Sequence, residues 1–104
     1  MIIEQRTYIF HPGGVPAFMQ RYTPEIRELQ RSILGNLIGY FVAETGVLNQ
    51  TVHLWGYDSM DARMARRAEL AGREEWRAFL ASILPLLVTQ ESKILLPTAF
   101  SPIR

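Results

Sequence analysis

His53, Trp55 and Tyr57 alternate along one short run, Tyr40 and Glu44 stand on the run before it, and Arg6 and Tyr8 alternate near the start of the chain. Residues two apart on a strand point to the same side, so these seven can share one surface. An imidazole among tyrosines, with a carboxylate and a guanidinium inside apolar walls, is what a small-molecule site needs. In an enzyme of that kind His53 is the expected acid/base, and Arg6 the anchor for an anion. The plainer reading is that the same polar tips hydrogen-bond across a buried layer and are satisfied there.

Other chemistry is thinly supplied. Two histidines, His11 and His53, with no cysteine beside them do not make a closed structural zinc site within one chain. No metal and no cofactor are expected. His11-Pro12-Gly13-Gly14 lacks the spacing of a phosphate loop and its Lys-Ser/Thr, so it is read as a tight turn. Arg63, Arg66, Arg67, Arg73 and Arg77 are interspersed with Asp61, Glu69, Glu74 and Glu75, the pattern of a solvated mixed-charge face. No serine has the Gly-x-Ser-x-Gly setting of a nucleophile elbow.

These side chains need a scaffold, and 104 residues allow one domain with one core, spanning residues 1–104. A net charge of +1 disfavours a nucleic-acid partner or an acidic membrane surface. The absence of cysteine fits a reducing compartment. Met1-Ile2-Ile3-Glu4-Gln5-Arg6 has neither the pattern of a secretory signal nor that of a mitochondrial leader, and a cytoplasmic location is expected. No apolar run approaches the ~20 residues that a membrane-spanning helix requires.

Period-two alternation over Ile2 to Phe10 predicts a strand, stopped by His11-Pro12-Gly13-Gly14. Phe18, Tyr22, Ile26, Leu29 and Ile33 recur at helical spacing, with Pro24 forcing a break near Tyr22-Thr23 and Thr23 capping the second piece. Asn36 to Asp58 reads as a hairpin around Gly46 and Asn49, with Val42 facing His53 and Tyr40 facing Trp55. Asp58 or Ser59 caps a helix ending at Ala71-Gly72. A second helix buries Trp76, Phe79, Leu80, Ile83 and Leu87, and Pro85 bends its last turn. A last strand spans about Gln90 to Leu96, followed by a tail with Phe100 as its apolar anchor.

The order βαββαβ, with the second helix in two parts, predicts an α+β, ferredoxin-like antiparallel sheet with helices on one face. The side made by Ile3, Thr7, Ile9, Phe41, Val52 and Leu54 is expected beneath the helices. Tyr8, Tyr40, Val42, Trp55 and Tyr57 are then left bare, a patch that a homodimer would cover by facing two sheets together.

Nearly the whole chain resembles the NIPSNAP family, a branch of the dimeric α+β barrel superfamily. The matching pieces are Glu4-x-Arg6-Thr7-Tyr8, Gly39-Tyr40-Phe41, Glu44-x-Gly46-x-Leu48-Asn49, Val52-His53-Leu54-Trp55-x-Tyr57, Arg63 and Arg67, Trp76-x-x-Phe79, and Gln90-Glu91-Ser92 leading to Leu96-Pro97. Arg73-Glu74 stands where such sequences usually have Asp-Pro, and Pro24 is a second departure. The resemblance implies the fold and a homodimer. It implies partner or small-ligand binding more than a defined reaction. The alternative is a cofactor-free enzyme, of monooxygenase or isomerase type, acting on a small aromatic or keto substrate.

Overall fold

A computed structural model describes residues 1–104. Four strands form one antiparallel sheet in the order β2-β3-β1-β4, made of β1 (Ile2–Phe10), β2 (Asn36–Val42), β3 (Gln50–Tyr57) and β4 (Leu87–Leu95). Between β1 and β2 lie α1 (Gly14–Arg21) and α2 (Pro24–Leu34). Between β3 and β4 lie α3 (Met60–Ala71), α4 (Glu74–Ile83) and a short 3-10 turn over Leu84–Leu86. The chain is therefore the expected ferredoxin-like sheet with helices on one face, and both helical segments are split.

Each split has a local cause. Pro24 cannot donate inside a continuous helix, so α1 stops and Pro24 opens α2 instead. The Thr23 hydroxyl accepts from the Ile26 N–H, and the Ser59 hydroxyl caps α3 by accepting from the Ala62 N–H. Gly35 ends α2 at φ 94°, where a side chain would be strained. Pro85 turns the end of α4 into the 3-10 segment, and β4 begins at Leu87, three residues earlier than expected.

The sheet keeps the expected partition of side chains but presents the opposite side to the helices. Tyr8, Phe10, Trp55 and Tyr57 are buried with Phe18, Tyr22, Trp76 and Phe79 in one core cluster. No helix covers the side that carries Ile9, Val52 and Leu54, and Phe41 there is 55% exposed. The physical reason is size. The aromatic rings remove about 150–250 Å² each from water, more than the aliphatic set opposite, and helical rings fit between them. Phe18 and Tyr22 stack at 5.2 Å between centroids, and Phe79 lies within 5.5 Å of Tyr22.

The hairpin register also differs from the expected one. Tyr40 pairs with His53 and Val42 with Thr51, two residues from the predicted partners, and the register shifts between Leu37 and Gly39. A bulge of that kind is invisible to simple alternation. Phe100 is 85% exposed and so anchors nothing within the chain. No helix is long and apolar enough to cross a membrane.

Candidate functional site

Strand register assembles a polar row inside the aromatic layer. Arg6 on β1 lies opposite His53 on β3 and Ser92 on β4, and His53 lies opposite Tyr40 on β2. One step along, Glu4 faces Trp55 and Ile94. All of these point toward the helices, so the chemistry sits between sheet and helices rather than on the bare side.

Glu4 is fully buried, which a carboxylate tolerates only when paired. Its Oε2 accepts from Arg6 Nη1 at 3.0 Å, Arg63 Nη2 at 2.6 Å and Ser92 Oγ at 2.5 Å. Arg67 Nη1 approaches the other oxygen at 3.8 Å. Burial pushes the carboxyl pKa up, but the bonds from Arg63 and Ser92 and the charges of Arg6 and Arg67 outweigh it and hold the group at about 2. Three guanidinium groups thus share one carboxylate. Local positive charge is left over.

His53 is 1% exposed. Its Nδ1 accepts from the Trp55 indole N–H at 2.8 Å, so in the neutral ring the proton is carried on Nε2, which has no partner. Burial, reinforced by the Arg6 charge, lowers its pKa to about 3. Tyr40 stacks on the imidazole at 4.4 Å and 11°, and Tyr8 meets it edge-on at 5.0 Å. His53 is therefore a neutral donor in a fixed orientation. It has no free lone pair with which to take a proton.

Two clefts open on either side of this row. One, of 230 Å³, lies against β1 and β4 under α4, with Arg6, Arg67 and Gln90 at its polar end and Trp76, Leu80 and Ile83 among its apolar walls. The other, of 450 Å³, lies along β2 and is bounded by Met19, Tyr22, Leu37, Tyr40 and Trp55, with Arg27, Glu28 and Arg31 at its rim. Between them, a chamber of only 10 Å³ is lined by Tyr8, Tyr40 and His53 together with the inner rings of the helices.

Five of the seven residues expected to act together do meet, Arg6, Tyr8, Tyr40, His53 and Trp55, while Tyr57 is buried further along β3, opposite Ile2. They meet under the helices and not, as expected, on the non-helical face. Glu44 does not join them; it is exposed in the loop after β2. The carboxylate of the cluster is Glu4 instead. Arg63, Arg67 and Ser92 stand among the family-matching pieces of the sequence, but nothing there placed them in the site. Arg63 and Arg67 do not belong to a solvated face: they are four apart on α3, so both reach inward to Glu4. Arg66 stays exposed, with its guanidinium donating to the Ile33 carbonyl at 3.1 Å. The available signal was Glu4 and Arg6 alternating on the same side of β1.

Comparison with known proteins places this architecture. The NIPSNAP family model matches residues 3–102, so the chain belongs to the NIPSNAP family. A NIPSNAP family protein from Agrobacterium tumefaciens is 44% identical, with a TM-score of 0.94 over 99% of this chain and 98% of that one. A NIPSNAP-like domain protein from Burkholderia xenovorans is 47% identical, with a TM-score of 0.92 over 97% and 88% of the two chains. Among curated relatives, the human protein NipSnap homolog 3A is 28% identical over 103 residues, 99% of this chain but 42% of its own length. The Dictyostelium discoideum NipSnap homolog is 32% identical over 94 residues, 90% of this chain and 41% of that one. The chain thus spans less than half the length of these curated relatives. An antibiotic biosynthesis monooxygenase, 14% identical, shares the fold at a TM-score of 0.60 over 97% of this chain and 100% of its own.

Proposed function

We propose that the chain works as a homodimer joined through its bare sheet face. Each copy holds a small ligand with an anionic group and an apolar or aromatic body in the 230 Å³ cleft under α4. One observation carries this reading: Arg6 and Arg67 both line the cleft while sharing the single carboxylate of Glu4 with Arg63. An anion entering there meets excess guanidinium charge in a partly desolvated site, where charge-assisted bonds are strong. Trp76, Leu80, Ile83, Leu84 and Leu87 would cover the rest of the molecule. The near-neutral net charge supports a small-molecule partner over nucleic acid, and the lack of cysteine supports a cytoplasmic setting.

Calorimetric titration with a panel of small apolar carboxylates tests the reading. Binding that weakens with Arg67→Gln, and disappears when Leu84→Trp fills the cleft, is the expected result. No carboxylate binding to the native protein, or binding indifferent to both changes, overturns it.

The second reading is a cofactor-free enzyme, of monooxygenase or isomerase type, on a small aromatic or keto substrate. The observation favouring it is the buried, unpartnered His53 Nε2–H beside the cleft. In that reading His53 polarises a substrate oxygen and does not carry protons, because Trp55 occupies its other nitrogen. Turnover of a bound ligand that vanishes with His53→Phe while binding persists would select it over simple binding.

A further inference from the structure

The 230 Å³ cleft has an inner end. Tyr8, Trp76, Leu80 and Ile83 line both that cleft and the 10 Å³ chamber, so the two adjoin behind the α4 side chains. His53 borders the chamber, and its Nδ1 is already engaged by the Trp55 indole. The nitrogen left for the chamber is Nε2, which is buried, carries the proton and has no acceptor.

We infer that the ligand held by Arg6 and Arg67 is a keto acid, whose carbonyl oxygen enters the chamber and accepts from His53 Nε2–H. This rests on the cleft reading above and narrows its ligand class. Three features lead to it. A volume of 10 Å³ is about what one water-sized atom needs, so it admits a single oxygen and excludes a ring or a branched chain. Among the residues lining the chamber, only His53 has a buried polar atom without a partner, and that Nε2–H is a donor, so the ligand should offer an acceptor there and not an amine or ammonium. The surroundings are the rings of Tyr8, Phe18, Tyr22, Tyr40 and Phe79 with the Gln30 amide, whose oxygen already accepts from the Tyr22 hydroxyl; no charged side chain lines the chamber, which favours a neutral acceptor over a second charged one. A carbonyl placed next to a carboxylate satisfies all three.

The test uses two probes that differ by one oxygen, ketoisocaproate and isocaproate, titrated calorimetrically into the full chain at neutral pH. A good hydrogen bond to an otherwise unpaired buried donor should make the keto acid bind roughly tenfold more tightly. His53→Phe, which keeps a flat ring against Tyr40, should remove that preference while leaving isocaproate binding in place. In the unaltered protein, a nitrogen-resolved proton spectrum should show the His53 Nε2–H resonance moving on addition of ketoisocaproate and staying put with isocaproate. That second readout keeps the test valid should the variant fail to fold. Equal binding of the two probes with an unmoved Nε2–H would sink the inference and leave the cleft reading standing; a fixed water would then be the partner of His53. If neither probe binds, the cleft reading falls and this inference falls with it.

Discussion

Glu4 and His53 give the molecule its acid sensitivity, and both act in the same direction. Glu4 titrates at about 2 when folded against an ordinary 4.5, so between those values the unfolded chain binds a proton that the folded chain does not. The stability it contributes is complete above about 4.5 and is lost as pH falls toward 2, a differential of roughly 3 kcal/mol. His53 falls from an ordinary 6.5 to about 3, so between those values the unfolded chain binds a proton that the folded chain refuses. Stability therefore rises with pH up to about 6.5. Urea denaturation across this range should show a slope approaching 1.4 kcal/mol per pH unit from His53 alone above pH 4.5. His53→Phe should flatten the window above pH 4.5 and, below it, reduce the slope to what Glu4 alone contributes. Glu4→Gln should cost about 3–5 kcal/mol near neutrality, since it leaves three guanidinium groups around an uncharged amide. A loss below 1 kcal/mol by the same denaturation would contradict the pairing described for Glu4.

At the scale of elements, features fixed by one or two residues were legible, and features fixed by competition between surfaces were not. Pro24 breaks the first helix because a missing N–H acts on its own turn, whatever the rest of the chain does. Thr23 and Ser59 were recognisable caps for the same reason. Thr23→Ala should cost about 1 kcal/mol in denaturant midpoints, whereas Pro24→Ala should cost little, as Pro24 sits at the first helical position. Gly35→Ala should cost more than either: φ is 94°, and a Cβ there would come within 2.9 Å of Arg66 Nη1. The side of the sheet that faces the helices was not legible, because Ile9, Val52 and Leu54 are as apolar in pattern as Tyr8, Trp55 and Tyr57. Only the ring-on-ring fit with Phe18, Tyr22 and Phe79 decides between them. Arg63 and Arg67 were hidden in a charge pattern that looks solvated until the buried Glu4 is placed opposite them.

For the whole molecule, the reversal of faces changes which surface the proposed dimer would cover. The side turned away from the helices carries Ile9, Val52, Leu54 and the half-exposed Phe41, bordered on β4 by Glu91 and Lys93. Two such sheets packed face to face would bury the aliphatic centre and leave the charged border wet. Sedimentation should give a particle of twice 11.9 kDa, and Leu54→Arg should convert it to the single chain while keeping the folded core. A lone 11.9 kDa particle from the unaltered protein at micromolar concentration would remove the dimer from the proposal. It would leave the cleft untouched, because Arg6, His53 and their neighbours are now on the other side of the sheet.

The hydrogen bond from Trp55 to His53 has an optical consequence. A protonated imidazole beside an indole quenches its emission, and this imidazole resists protonation down to about pH 3. The light from Trp55 should therefore hold steady across mild acid and dim only when the ring gains its charge or the pair separates, giving the protein a built-in lamp at the centre of its aromatic layer.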